Sequence, residues 1–151
     1  MRYFKALLLL MVPLLLIPGA HATPGQVARG ALNTFAVGID RHYTITGHAQ
    51  MVRVAEGKTI VIVHAMGLAP NTAYPAHVHK AACSDNFADG HYKFDPNGAS
   101  QPPNEIWLGF TTDDDGVGNG KATADQTAGP TAVSVVVHDT DGKKIACADL
   151  S

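Results

Sequence analysis

Four histidines have types and spacing that could do chemistry together. His77 and His79 lie in Pro75-Ala76-His77-Val78-His79, His91 in Asp89-Gly90-His91-Tyr92, and His138 ends the run Ser134-Val135-Val136-Val137. Neutral imidazole is the commonest protein ligand for metal ions and suits copper and zinc among others. In a β-strand, residues i and i+2 point to one face, so His77 and His79 can grip one ion from a rigid support. Each fragment alone has a plainer explanation. A His-x-His pair can be an exposed polar face, and a histidine after three valines can be a hydrogen-bonded strand end. Their occurrence alongside two cysteines and an export signal favours a metal site.

That signal is the first segment of the chain. Arg2 and Lys5 supply positive charge, Leu7 to Ile17 is apolar apart from Pro13, and Ala20-His21-Ala22 is a small-x-small cleavage sequence. The apolar run is short for a bilayer span. Cleavage after Ala22 is expected, leaving a chain from Thr23 that is exported to a periplasm or the extracellular space without a membrane anchor. Loss of Arg2 and Lys5 changes 11 basic and 13 acidic residues to 9 and 13, a formal −4. A mildly acidic protein has no electrostatic footprint for nucleic acid or anionic lipid. The remaining 129 residues suit a single domain with its own core.

Export implies oxidising conditions, and the two cysteines, Cys83 and Cys147, allow one intrachain pairing. Closing so long a loop contributes roughly 4 kcal/mol on the chain-entropy account. The competing use, both sulfurs as copper ligands, needs reduced thiolates in the wrong compartment.

The elements that must position these residues are β-strands. Tyr43 to Met51 and Lys58 to His64 are strand-like runs separated by Glu56-Gly57, and Gly67 to Asn71 turns the chain into a strand from Tyr74 to Lys80. Ile106 to Thr112 and Gly120 to Ala124 flank Asp113-Asp114-Asp115-Gly116, while Thr131 to His138 and Lys144 to Ala148 flank Asp139-Thr140-Asp141-Gly142. Short, regularly spaced strands with Gly and Asp turns predict an all-β sandwich or Greek-key barrel. Residues 84–105, rich in Asp, Asn, Gly and Pro, form a long loop of the kind that is functional or disordered. The chain thus divides into a signal segment 1–22, a leader 23–42 that is either flexible or an added strand, and a barrel domain 43–151.

Gly67-Leu68-Ala69-Pro70, Ala76-His77-Val78-His79, Cys83, Gly90-His91-Tyr92 with Asp95-Pro96, Gly116, Ser134-Val135-Val136-Val137-His138 and Ile145-Ala146-Cys147 resemble the copper/zinc superoxide dismutases in order and spacing. The resemblance covers roughly Tyr43 to the C-terminus and implies an eight-stranded Greek-key β-barrel. It makes His77, His79 and His138 copper ligands and His91 the histidine that bridges two metals in the family. Cys83 and Cys147 match the family's intrasubunit disulfide.

The zinc half does not carry over. The family has two further histidines and an aspartate, whereas residues 94–110 contain no histidine. The family's His-Val-Gly-Asp is replaced by Trp107-Leu108-Gly109-Phe110, whose rings cannot coordinate zinc. Asp89 and Asp95 are the remaining carboxylates nearby, too few for four donors, so zinc is not expected. Core filling is the simpler expectation for Trp107 and Tyr92. The family's long charged loop is reduced to a hairpin at 139–144, and its anion-guiding arginine aligns with Lys144, which keeps the charge but loses the planar fork. These departures resemble the family's copper-only branch, with a site open to solvent.

The resemblance therefore implies an antioxidant enzyme with one copper ion and superoxide as substrate. His91 would carry the proton, holding copper(II) and leaving copper(I) protonated, and Glu105 is the candidate to orient its ring. Two other classes remain: a copper carrier without turnover, and a metal-free interaction domain on the same barrel. A monomer or weak homodimer is expected. His42, His48 and His64 lie outside these motifs and are expected at the surface or partly buried. Asp113 to Gly116 lacks the alternating ligands of a calcium loop and reads as a hairpin turn.

Overall fold

In a computed structural model, residues 25–55 and 57–151 are described. The expected signal segment 1–22 and its cleavage site lie outside the described residues, as does Glu56. Among the described residues, no helix is long and apolar enough to cross a membrane.

The chain is all-β. Strands β1 (Gln26–Thr34), β2 (Thr46–Val54), β3 (Lys58–Met66), β4 (Ala73–Tyr74), β5 (Ala76–His79), β6 (Phe110–Thr111), β7 (Gly118–Ala124), β8 (Ser134–His138) and β9 (Lys144–Asp149) are accompanied by one short helix, α1 (Ala36–Asp40). Seven strands form an antiparallel sheet in the order β5-β8-β9-β1-β2-β3-β7, and β4 pairs with β6. The connection from β3 to β5 crosses to the opposite edge of the sheet, and the connection from β5 to β7 crosses back. This is a Greek-key path. Residues 26–34, left open as leader or strand, pair with β2 along their length and with β9 at one end.

Alternation explains the core. In β3, Thr59, Val61, Val63 and Ala65 are buried while the intervening residues are not, which is the period of a strand with one face inward. Val61, Val63, Met51, Leu32, Val135, Val137, Ile145 and Leu108 belong to one interior cluster. β8 is buried on both faces. Val136 points outward, yet it packs with Ala88 and Cys147 in a second cluster beneath the long loop. An uninterrupted Val-Val-Val run is what such a strand requires.

The expected strand over Ile106–Thr112 is strand only at Phe110–Thr111. Its first half instead follows the free edge of β5: Leu108 N donates to Ala76 O at 2.7 Å and Val78 N to Ile106 O at 3.1 Å. The Phe110 ring and the Leu108 carbonyl lie so close to β7 that a methyl group at Gly118 or Gly120 would collide with them. Glycine here lets this segment link the two edges of the sheet into a nearly closed barrel.

Candidate metal centre

The side chains of Ala76 and Val78 enter the core, so those of His77 and His79 leave the opposite, outer face of β5. β8 lies alongside, with His77 opposite Val136 and His79 opposite Ser134. Between Val137 and His138 the register of β8 against β9 shifts, an irregularity of the kind that re-aims a side chain. His138 Nε2 reaches 3.3 Å from His79 Nε2. His91 arrives from the long loop, which pairs with β5 through Lys80 N to Gly90 O at 3.1 Å and Tyr92 N to Val78 O at 2.9 Å. One ligand nitrogen from each of His77, His79, His91 and His138 lies within 4.8 Å of every other. The sequence-predicted quartet is therefore brought together.

Three of the rings are aimed from behind. His79 Nδ1 lies 3.2 Å from the carbonyl oxygens of both Ala88 and Asp89, and His138 Nδ1 lies 3.0 Å from that of Gly142. His91 Nδ1 donates to Glu105 Oε2 at 2.7 Å. A ring that donates from Nδ1 keeps its lone pair on Nε2, which sets the tautomer a metal needs. His77 differs, because its Nδ1 is buried and has no hydrogen-bond partner among the described residues. A buried polar atom without a partner is costly, and a cation in the cluster would satisfy it. The residues fit a metal ion held by one ring nitrogen from each of the four histidines.

Electrostatics favour the ligand form. Burial, followed by repulsion from the neighbouring imidazoles, pushes His77 and His79 down to about 3. Burial also lowers His138. Neutral imidazole is the state that binds metal. His79 is 0% exposed and His138 6%, whereas the His91 side chain is 30% exposed. His91 also borders a cavity of about 550 Å³ lined by Lys80, Lys93, Glu105 and Thr131 among others. The cluster thus has two buried rings, His79 and His138, and two nearer solvent, His77 and His91.

Sequence reasoning did not anticipate how the loop holds His79. Asn86, Phe87, Ala88 and Asp89 have φ of 48°, 53°, 63° and 47°, four successive left-handed residues without a glycine. Such backbone costs on the order of 1 kcal/mol per residue, less for Asn and Asp. Tertiary contacts hold it in place. Cys83 is disulfide-bonded to Cys147, Ala88 is buried against Val136 and Cys147, and Lys144 Nζ donates to Phe87 O at 2.7 Å and Asp89 O at 2.5 Å. The Asp89 carboxylate pairs with Lys80 at 3.0 Å. The turn directs two carbonyls at His79, and the only local signal for it is the tolerance of Asn86 and Asp89 for this conformation.

Lys144 therefore braces the turn, and its charge lies near enough to contribute to the lowering of His79 and His138. Its own ammonium is made less basic by burial. Arg41 clamps the hairpin that presents Gly142 O, reaching Asp139 at 2.6 Å and Asp141 at 2.7 Å.

Glu105 is 3% exposed and also accepts from Trp107 Nε1 at 2.8 Å. Tyr92 is buried, as expected of core, with its hydroxyl accepting from Gly129 N at 2.9 Å. Trp107 does not fill core. It is 44% exposed and edge-on to His77, with ring centres 5.3 Å apart. Its backbone bridges to His77, and directly paired residues share a face, so the indole must point outward while Ile106 and Leu108 point in. Asp89 is committed to Lys80, and Asp95 Oδ1 accepts from Asn97 N at 3.0 Å. His42 and His48 are exposed and His64 half-buried, yet His48 and His64 come together on β2 and β3 with ring centres 5.5 Å apart. No family model and no curated protein matches the chain.

Proposed function

We propose that this protein is an exported, copper-dependent superoxide dismutase with one copper ion held by His77, His79, His91 and His138. The observation that carries this reading is the convergence of four imidazoles, one of which, His77, has a buried nitrogen with no partner among the described residues. The order and spacing of the sequence motifs, which resemble the copper/zinc superoxide dismutases, favour copper over other ions that imidazole suits. When bound, copper would supply one-electron chemistry, taking an electron from one superoxide and giving it to the next. Two superoxide ions and two protons then give one dioxygen and one hydrogen peroxide.

The chain's own residues account for the protons and the approach of the anion. Glu105 keeps His91 Nδ1 protonated at 2.7 Å, so Nε2 is the atom that takes up and releases a proton. The carboxylate balances the imidazolium formed at that moment. The 30% exposure of His91 lets solvent return the proton. The positive charge of Lys144, fixed by two carbonyls, draws an anion toward the cluster. Trp107 holds the second donor to Glu105, keeping its oxygen on His91. No zinc ion is part of this proposal.

The test is superoxide decay with the mature protein loaded with copper and zinc, followed by metal analysis. Expected are one copper and no zinc at the four-histidine cluster, and decay far faster than in buffer, lost in His138→Ala. Tight copper binding with decay no faster than buffer would select a carrier, and no bound copper after dialysis would select an interaction domain.

A further inference from the structure

On the opposite end of the sheet from β5, β2, β3 and β7 place His48, His64 and Asn119 in one row across three strands. Ala49, Val63 and Ala65 point into the core, so all three of these side chains stand on the outer face. Strands β9 and β1 separate this row from β8 and the four-histidine cluster. The rings of His48 and His64 have centres 5.5 Å apart and planes inclined by 40°. His64 Nδ1 lies 2.8 Å from Asn119 Oδ1. The amide oxygen only accepts, so Nδ1 carries the proton and the Nε2 lone pair is free.

We propose that His48 and His64 form a second, separate metal site for a tetrahedrally coordinated borderline cation such as zinc(II), with Asn119 orienting His64. A zinc–nitrogen bond of about 2.1 Å and a ring centre roughly 1.1 Å behind the nitrogen put two tetrahedral imidazole ligands about 5.2 Å centre to centre. The observed 5.5 Å meets that requirement with a small tilt of either ring. A right-angled arrangement of the copper(II) type would require roughly 4.5 Å by the same bond lengths. Direct cross-strand register supplies the spacing without a loop. The Asn119 contact is the outer hydrogen bond that a ligating imidazole normally makes. Water or a donor from another molecule would complete the coordination, because both rings face solvent.

The experiment follows the imidazole ring resonances of the metal-stripped mature protein during titration with zinc chloride alone. The His48 and His64 signals are expected to move together and saturate with a common affinity. His48→Ala should weaken the response at His64 by at least about tenfold, because the second ligand no longer binds intramolecularly. Asn119→Ala should weaken it several-fold, and His138→Ala, which disables the other cluster, should leave it unchanged. All three positions in the row are at or near the surface, so their variants should fold, which a ring spectrum of the remaining core confirms. Resonances of His48 and His64 that stay still at millimolar zinc, or a His64 response indifferent to His48→Ala, would overturn the site.

Discussion

Two walls of this barrel carry outward histidines, two apart along β5 on one and in cross-strand register on β2 and β3 on the other, and they differ in what lies over them. On β5 and β8 the outer face is roofed by residues 80–105, which bury His79 completely and bring His91 to it. On β2 and β3 no segment among the described residues covers His48, which is exposed. The barrel provides spacing at both places. Only the roof provides desolvation, the Ala88 and Asp89 carbonyls behind His79, and the Glu105 carboxylate behind His91. Strand geometry alone therefore makes a modest two-ligand pair, and the stapled loop turns it into a four-ligand centre.

The sharpest way to break the comparison is to remove a roofed ligand. His79→Ala or His138→Ala should abolish stoichiometric copper binding in equilibrium dialysis, whereas His48→Ala should leave it intact. Next comes the staple. Cys83→Ser with Cys147→Ser should cost about 2–5 kcal/mol in urea unfolding, and copper should bind more weakly because the carbonyls behind His79 are no longer held. Glu105→Gln retains the shape but weakens the grip on His91. Copper affinity in a competition titration should fall roughly 10–100-fold.

Acidity acts on the roofed wall in a defined direction. His77 and His79 are held at about 3 when folded, from the ordinary 6.5, so the unfolded chain binds more protons between those values. The stability associated with their neutral state is complete above pH 6.5 and falls as pH drops toward 3. For the fully buried His79 the slope is on the order of 1 kcal/mol per pH unit. Urea midpoints of the metal-free protein measured across that window should decline, and His79→Ala should flatten the decline. The smallest effect expected is at Lys144. Lys144→Gln should slow superoxide decay severalfold at low salt and reduce its salt dependence, with a stability loss of about 1–2 kcal/mol from the weakened brace.

The strands of this barrel were legible because alternation reports a buried face directly, as in β3. The His77–His79 pair was legible for the same reason, since period two places both on one side. Glu105 could be nominated only from its place at the loop's end; its contact with His91 depends on a bridge between Lys93 and Glu105 that no local pattern specifies. The left-handed turn at 86–89 carried almost no signal, because glycine is its usual marker and none is present. Core filling is the simpler expectation for an indole, but the pairing of Trp107 with His77 dictates the outer face. The His48–His64 pair was available in principle. The pairing of Val54 with Lys58 fixes the register that sets His48 opposite His64, but this requires carrying the register along the hairpin.

The central claim is that the roofed quartet binds one copper ion and turns it over on superoxide. Pulse-generated superoxide decay should be measured on the copper-loaded mature protein, with the bound metal counted in the same sample. The account predicts one copper per chain and a catalytic decay that disappears in His138→Ala. A sample with full copper occupancy that decays superoxide no faster than the His138→Ala variant would contradict it.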